Sequence, residues 1–289
     1  MNAGNQAGAS SFAAQPHFLD TSSGRIFAVH HAPASPRGHV LFVPPFNEEM
    51  NRCRSMMTLQ AESLFRCGFG TLVVDLFGTG DSDGDYVDAR WELWLDNVTR
   101  AFRHIRTLGS CVSVIGIRLG AVLAAEWLDN TRDDYESPRG FVAWQPIVDG
   151  KQYFTQFLRM RIAAAMERQG GPKETTATLR ATLAGGTPIE VGGYEIHPSL
   201  ASAIERRSMD DTCPPAECRV AWMEQRVPGI DGPAPASVRV MAAWKSRGVE
   251  IEEASFDGQA FWQLHERAVA EDLVARTTRW ISSHVDVKA

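Results

Sequence analysis

The strongest constraint in this sequence is a rhythm: apolar runs of strand length, each followed by a longer stretch with helical spacing. Val40-Leu41-Phe42-Val43, closed by Pro44-Pro45, is continuous apolar sequence of the kind found in strands buried on both faces. Residues 71–76, 111–117 and 140–147 repeat the theme, and helices are expected over 50–67, 90–108 and 119–128. Gly68 and Gly109 stop the first two helices. This alternation builds a parallel sheet covered by helices on both sides. Ahead of it, Thr21-Ser22-Ser23-Gly24 reads as the turn of a hairpin spanning 18–32. After residue 150 the rhythm breaks. Residues 151–212 carry helical stretches (151–168 and 198–207) and a Gly-rich piece at 185–194. Strands then return at 218–223 and 249–255, before a long closing helix over 261–282. The expected organisation is a disordered tail over 1–17, an α/β core over 18–150, an inserted helical lid over 151–212, and the rest of the core over 213–289.

Composition excludes several classes. The 289 residues are 44% hydrophobic and 22% charged, as in ordinary globular proteins. The formal charge is −6, from 29 basic and 35 acidic residues, and no Lys/Arg-rich run occurs, which argues against nucleic acid as a partner. No apolar run reaches the length needed for membrane insertion. Residues 1–16 hold no Lys or Arg and no apolar core, so they do not read as a signal peptide. The five cysteines have no metal-site spacing, and free thiols in the cytoplasm are the simplest reading. No Walker motif, dinucleotide fingerprint or clustered metal ligands point to a cofactor or a metal.

In an open parallel sheet, ligands bind beyond the carboxyl ends of the strands. The sharpest such point is Gly116-Ile117-Arg118-Leu119-Gly120, where a strand runs straight into a helix. Its glycines let strand and helix approach closely, and the central residue is pushed into the site on a strained turn. With the turn Asp75-Leu76-Phe77-Gly78-Thr79-Gly80-Asp81-Ser82, this resembles the α/β-hydrolase superfamily over roughly residues 18–285. The resemblance implies an α/β-hydrolase fold: a mostly parallel central sheet of about eight strands flanked by helices, with an inserted helical lid. One departure governs the chemistry. The elbow residue is Arg118, and a guanidinium stays protonated and cannot act as a nucleophile. The histidine expected after the last strand is also missing, since Asp257-Gly258-Gln259-Ala260-Phe261-Trp262 stands there and His265 follows a turn later. A Ser-His-acid relay cannot be assembled at the usual places.

A closer likeness rests on Pro44-Pro45-Phe46-Asn47-Glu48-Glu49-Met50-Asn51, the Arg118 elbow, Trp144-Gln145-Pro146-Ile147-Val148-Asp149-Gly150, Gly193-Tyr194-Glu195 and Phe261-Trp262. Together these resemble the exosortase A system-associated hydrolase 2 family, bacterial proteins that accompany exopolysaccharide and PEP-CTERM sorting loci. That likeness implies Arg as the usual elbow residue.

The candidate catalytic residues are Glu48, Glu49, Arg118 and Glu224. Arg118 can anchor an anionic group, helped by free N–H groups of the helix it opens, or pair with a carboxylate in a silent site. Glu48 and Glu49 follow a strand whose loop normally supplies an oxyanion N–H; one of them is expected to pair with Arg118 or act as a general base. Glu224 ends a strand and can be a retained acid. Asn47, Asn51, Arg54, Leu119, Gln145 and Trp262 form the candidate substrate-binding set. Cys53 lies near the mouth of the site without an obvious activating histidine. Three functions remain open: a non-standard ester or thioester hydrolase or acyltransferase, a silent binding protein for a small anionic or acyl molecule, and an interaction partner of an acyl carrier or a companion hydrolase.

Overall fold

Apolar runs that avoid water on both faces are accommodated only inside a sheet, and in the computed structural model that is where they lie. The structure describes residues 11–132, 138–167, 174–230, 232–264 and 266–285. Eight strands form one sheet: β1 (Gln15–Asp20), β2 (Arg25–His31), β3 (His39–Val43), β4 (Gly70–Val74), β5 (Cys111–Ile117), β6 (Gly140–Trp144), β9 (Arg219–Gln225) and β10 (Ile251–Phe256). Their order is β1-β2-β4-β3-β5-β6-β9-β10. The hairpin β1–β2 is antiparallel, and β2 runs antiparallel to β4. Every other pair is parallel. Residues 39–43 and 140–144 are fully buried, as their unbroken apolar composition requires.

Helices α1 (Glu48–Arg66) and α8 (Glu271–Val285) cover one face. The other face carries α2 (Trp91–Leu108), α3 (Leu119–Asn130) and α7 (Pro235–Ser246). Between β6 and β9 the chain leaves the sheet for α4 (Gly150–Glu167), α5 (Thr176–Ala184), the small hairpin β7 (Ile189–Val191) and β8 (Tyr194–Ile196), and α6 (Pro198–Glu205).

Two boundaries differ from the sequence reading. The strand β1 starts at Gln15, inside the stretch expected as tail, because residues 15–17 pair with His30, Val29 and Ala28; residues 1–10 lie outside the described residues. The closing helix begins at Glu271, not at 261. Phe261 and Trp262 are buried in the core between α1 and the sheet, and that inward placement belongs to a loop. The carboxylates of Glu271 and Asp272 then fall in the first turn of α8, where the helix dipole favours them.

Candidate functional site

Among the described residues, three non-glycine residues adopt positive φ: Asn47 (52°), Arg118 (56°) and Gln145 (42°). Each stands just beyond the carboxyl end of a central strand, at β3, β5 and β6 respectively. Such conformations cost about 1–3 kcal/mol each and persist only where surrounding structure enforces them. At Arg118 the enforcement is visible. A Cβ on Gly120 would lie 2.2 Å from the Pro44 carbonyl oxygen, and one on Gly116 would lie 2.6 Å from the Ala121 Cα. β5 and α3 therefore meet at a distance only glycine permits, and the turn between them throws Arg118 outward.

The guanidinium is held on three sides. Its Nε and Nη2 donate to Glu49 Oε1 at 3.3 and 3.2 Å, and Nη1 donates to the Gln145 carbonyl at 3.1 Å. Its carbon sits 5.1 Å from the centre of the Trp262 ring, a cation–π contact. The pair is well shielded, with side-chain exposures of 13% for Arg118 and 17% for Glu49. Burial raises the pKa of Glu49, while Arg118 and the neighbouring Tyr153 hydroxyl pull it back. Glu49 Oε2 is buried, and the Tyr153 hydroxyl is its polar neighbour from α4. This is a carboxylate whose burial is opposed chiefly by Arg118, with smaller help from the Tyr153 hydroxyl and Arg52.

Arg118, Glu49, Asn47, Gln145 and Trp262 line one cavity of about 630 Å³ between the sheet edge and α4. Glu48 and Glu224 reach its wall as well, and Ile147, Tyr153, Phe157 and Met160 give it an apolar side. Glu48 faces largely outward: Oε2 accepts from Asn51 and from the Tyr194 hydroxyl, each at 3.2 Å. The structure thus separates the two adjacent glutamates and pairs Glu49 with Arg118.

Other sequence candidates take different roles. Arg54 does not line the cavity; it donates to the buried Asp75 carboxylate at 3.1 Å and ties α1 to the turn after β4. Asn51 also stays outside the cavity, bonded to Glu48 and Tyr194. Leu119 is buried against α3's own packing and borders a separate void of about 10 Å³, which Asn47 also borders. Glu224 accepts from Trp222 Nε1 (2.7 Å), the Ala234 N–H (3.0 Å) and the Ser237 hydroxyl, so its lone pairs anchor α7 to β9. Gln145 is stapled to β9 through its Oε1, which accepts from the Gln225 N–H at 2.7 Å. In the inserted segment, Tyr194 donates to Glu48, and His197 Nδ1 accepts from the Ser199 N–H at the start of α6.

Two features escaped the sequence reading. Tyr153 stands beside Glu49 from the inserted helix α4, and only its helical spacing with Phe157 hinted at an inward face. Asn47 is 5% exposed, yet neither Oδ1 nor Nδ2 has a hydrogen-bond partner. The elbow position that carries the nucleophile in this fold holds Arg118. Cys53 is buried and its thiol is pushed far above its ordinary range. No described histidine lines the cavity, and His265 lies outside the described residues.

A mostly parallel eight-stranded sheet, a glycine-flanked strand-to-helix elbow and a cavity beyond the strands' carboxyl ends define the class: this is an α/β-hydrolase fold. The serine aminopeptidase S33 family model matches residues 34–180, half of the chain, and the chain belongs to that family. Solved structures agree on the fold. The chain is similar to Est1E from Butyrivibrio proteoclasticus with ferulic acid bound (TM-score 0.60, 14% identity, 94% of this chain and 98% of that one). It is also similar to DcsB in complex with its substrate analogue (0.62, 14%, 95% and 100%). Alpha/beta hydrolase domain-containing protein 10 from mouse is a third (0.58, 14%, 96% and 100%). At these identities the likeness speaks for the fold alone. No curated protein matches the chain. Among the described residues, no helix is long and apolar enough to cross a membrane.

Proposed function

We propose that the protein hydrolyses an ester or thioester with an apolar acyl part, by direct attack of water. The observation that carries this is Glu49: a buried carboxylate with raised pKa, one oxygen held by Arg118, in the wall of a cavity of substrate size. Glu49 takes a proton from water as the water oxygen bonds to the carbonyl carbon. The carbon–oxygen or carbon–sulfur bond then breaks, and the proton held by Glu49 passes to the leaving alkoxide or thiolate. The products are a carboxylic acid and an alcohol or thiol. Arg118 keeps Glu49 ionised and oriented. The resemblance read in the sequence supports a setting for this reaction in exopolysaccharide or PEP-CTERM-linked metabolism, and the free cysteines support a cytoplasmic one. The substrate there would be a small acyl compound, free or on an acyl carrier, with the companion hydrolase of the same loci as a neighbour.

One observation favours a second reading, a silent binding protein. The nucleophile position is filled by a guanidinium whose partners are Glu49, the Gln145 carbonyl and the Trp262 face. A single experiment separates the two: turnover of a panel of esters and acyl-thioesters by wild type, Glu49→Gln and Arg118→Ala, with melting temperatures measured alongside. Hydrolysis requires turnover above buffer, a drop of about 100-fold or more in kcat for Glu49→Gln at unchanged melting temperature, and a rate that rises with pH as Glu49 ionises. Arg118→Ala should move that rise to higher pH, because the cation that favours the carboxylate is gone. No turnover on any member leaves the binding reading.

A further inference from the structure

Two histidines 87 residues apart in sequence meet where the edge strand β1 lies against α2. His17 projects from the strand and His104 from the helix. Their Nε2 atoms are 3.1 Å apart, their ring centres 4.8 Å apart, and the ring planes are tilted by 43°. Ring centres this close at that N···N distance mean that the rings bend about the contact and do not meet head-on. His17 Nδ1 lies 3.1 Å from the Gln15 carbonyl oxygen. A carbonyl can only accept, so Nδ1 carries the proton of the neutral ring. Nε2 is left with its lone pair on the side of His104. Both rings are partly exposed, so this lone pair is not sealed in the core.

These features are what a pair of metal-ligating histidines requires. Two nitrogens bound to one ion at about 2.0–2.1 Å lie about 2.9 Å apart in a square or octahedral site and about 3.3 Å apart in a tetrahedral one. The separation of 3.1 Å falls between these values. A backbone carbonyl on the second ring nitrogen is the usual device that fixes the tautomer and orientation of a ligating imidazole. We propose that His17 and His104 bind a late first-row divalent cation, Ni²⁺, Cu²⁺ or Zn²⁺, which bridges β1 and α2. Neutral imidazole suits these ions, whereas Mg²⁺ and Ca²⁺ seek oxygen ligands. Without an ion, His104 donates its Nε2–H to His17. When the ion binds, that proton moves to His104 Nδ1 and both Nε2 lone pairs go to the metal. Among the described residues, no group of three or more His, Cys, Asp or Glu side chains is placed to hold a metal. The protein therefore supplies two ligands, and water completes the coordination shell. Neither histidine lines the cavity, so the site is independent of the function proposed above. The ion would clip an edge strand to a helix and stabilise the fold by mass action, because the unfolded chain does not hold the two rings together.

The probe is NiSO4, since Ni²⁺ favours imidazole and the free cysteines compete less for it than for Zn²⁺. Isothermal titration of the full chain should show one saturable site with a Kd of about 10 μM, roughly the square root of the constant for a four-ligand zinc site. His17→Gln and His104→Gln should each weaken binding by about tenfold or more, while His197→Gln, at the start of α6, should leave it unchanged. At about 1 mM Ni²⁺ the melting temperature of wild type should rise by about 4–5 °C, and that of either variant by much less. Should the variants fold poorly, electron paramagnetic resonance of wild type with one equivalent of Cu²⁺ counts the ligands directly: two imidazole nitrogens are expected, and one or none overturns the inference. Absence of saturable Ni²⁺ binding overturns it as well, as does binding that survives both substitutions.

Discussion

Lowering the pH through the histidine range should destabilise the protein at the end of the sheet opposite the cavity. Four histidines converge there on one face: His17 on β1, His30 on β2, His39 on β3 and His104 on α2. The rings of His30 and His39 stack at 5.3 Å, and the Nε2 atoms of His17 and His104 are 3.1 Å apart. Burial lowers the pKa of His30 from 6.5 to about 4, and the positive charges of His39, His17, His104 and His31 add to the shift. His31, His39 and His104 shift the same way, chiefly by burial. For a base whose folded pKa is depressed, the unfolded chain takes up the proton first. The stabilisation is therefore complete above pH 6.5 and is lost as the pH falls toward 4. A shift from 6.5 to about 4 corresponds to a ceiling of about 3.4 kcal/mol. His30 is only half-buried, and solvent screening brings its share to about 1–2 kcal/mol. The perturbation is His30→Phe, which keeps a ring and removes the proton. The assay is urea unfolding between about pH 7 and pH 4.5, a window above that in which the paired carboxylates Asp83, Glu174, Asp210 and Asp272 act, since their pKa values are lowered from already acidic starting points. Glu49 works in the opposite sense across this window, because its pKa is raised, and the difference between wild type and variant cancels it. Wild type should lose about 1–2 kcal/mol more than the variant on acidification. Equal losses would refute the assignment of this pH dependence to His30.

Two further outcomes test the framework of the site. Gly120→Ala should destabilise the protein by about 2 kcal/mol or more, read as a fall in the urea midpoint, because its Cβ would meet the Pro44 and Val43 carbonyl oxygens at 2.2 and 2.5 Å and both are backbone. Glu224→Leu should lower stability by about 2–4 kcal/mol, since three donors on Trp222, Ala234 and Ser237 lose their common acceptor; a near-neutral midpoint would show that Glu224 does not anchor α7.

The strands were legible because their environment leaves little choice. A four-residue run such as Val40 to Val43 has no polar face to turn to water, so it declares a central strand by itself. The lid and the closing helix were harder. Phe261 and Trp262 continue an apolar helical pattern in sequence, but in the fold they plug the core beside the elbow, and tertiary packing overrides the local period. The pairing of one loop glutamate with Arg118 could be anticipated from charge and position, and Glu49 fills it because consecutive side chains on the first turn of α1 point apart. Arg54 was misplaced for the same reason: its turn of α1 faces Asp75, and spacing along the chain does not say which strand a helix face will meet. Tyr153 and the unmatched amide of Asn47 depend on how α4 closes over the strand ends, which no single segment encodes.

The elbow also separates two kinds of information that are usually read as one. Gly116 and Gly120 answer to the approach of β5 and α3, where any Cβ would collide with backbone. The residue between them answers to chemistry. Arg118 keeps the strained φ of 56° without any nucleophile to present, so the strain is held by packing and not by catalysis. Reading the glycines therefore identifies the fold securely, whereas reading the central residue decides what chemistry that fold can still host. With arginine there, the proposed reaction falls to a group one loop away, Glu49, and it requires that buried carboxylate, bound to its own cation, to take a proton.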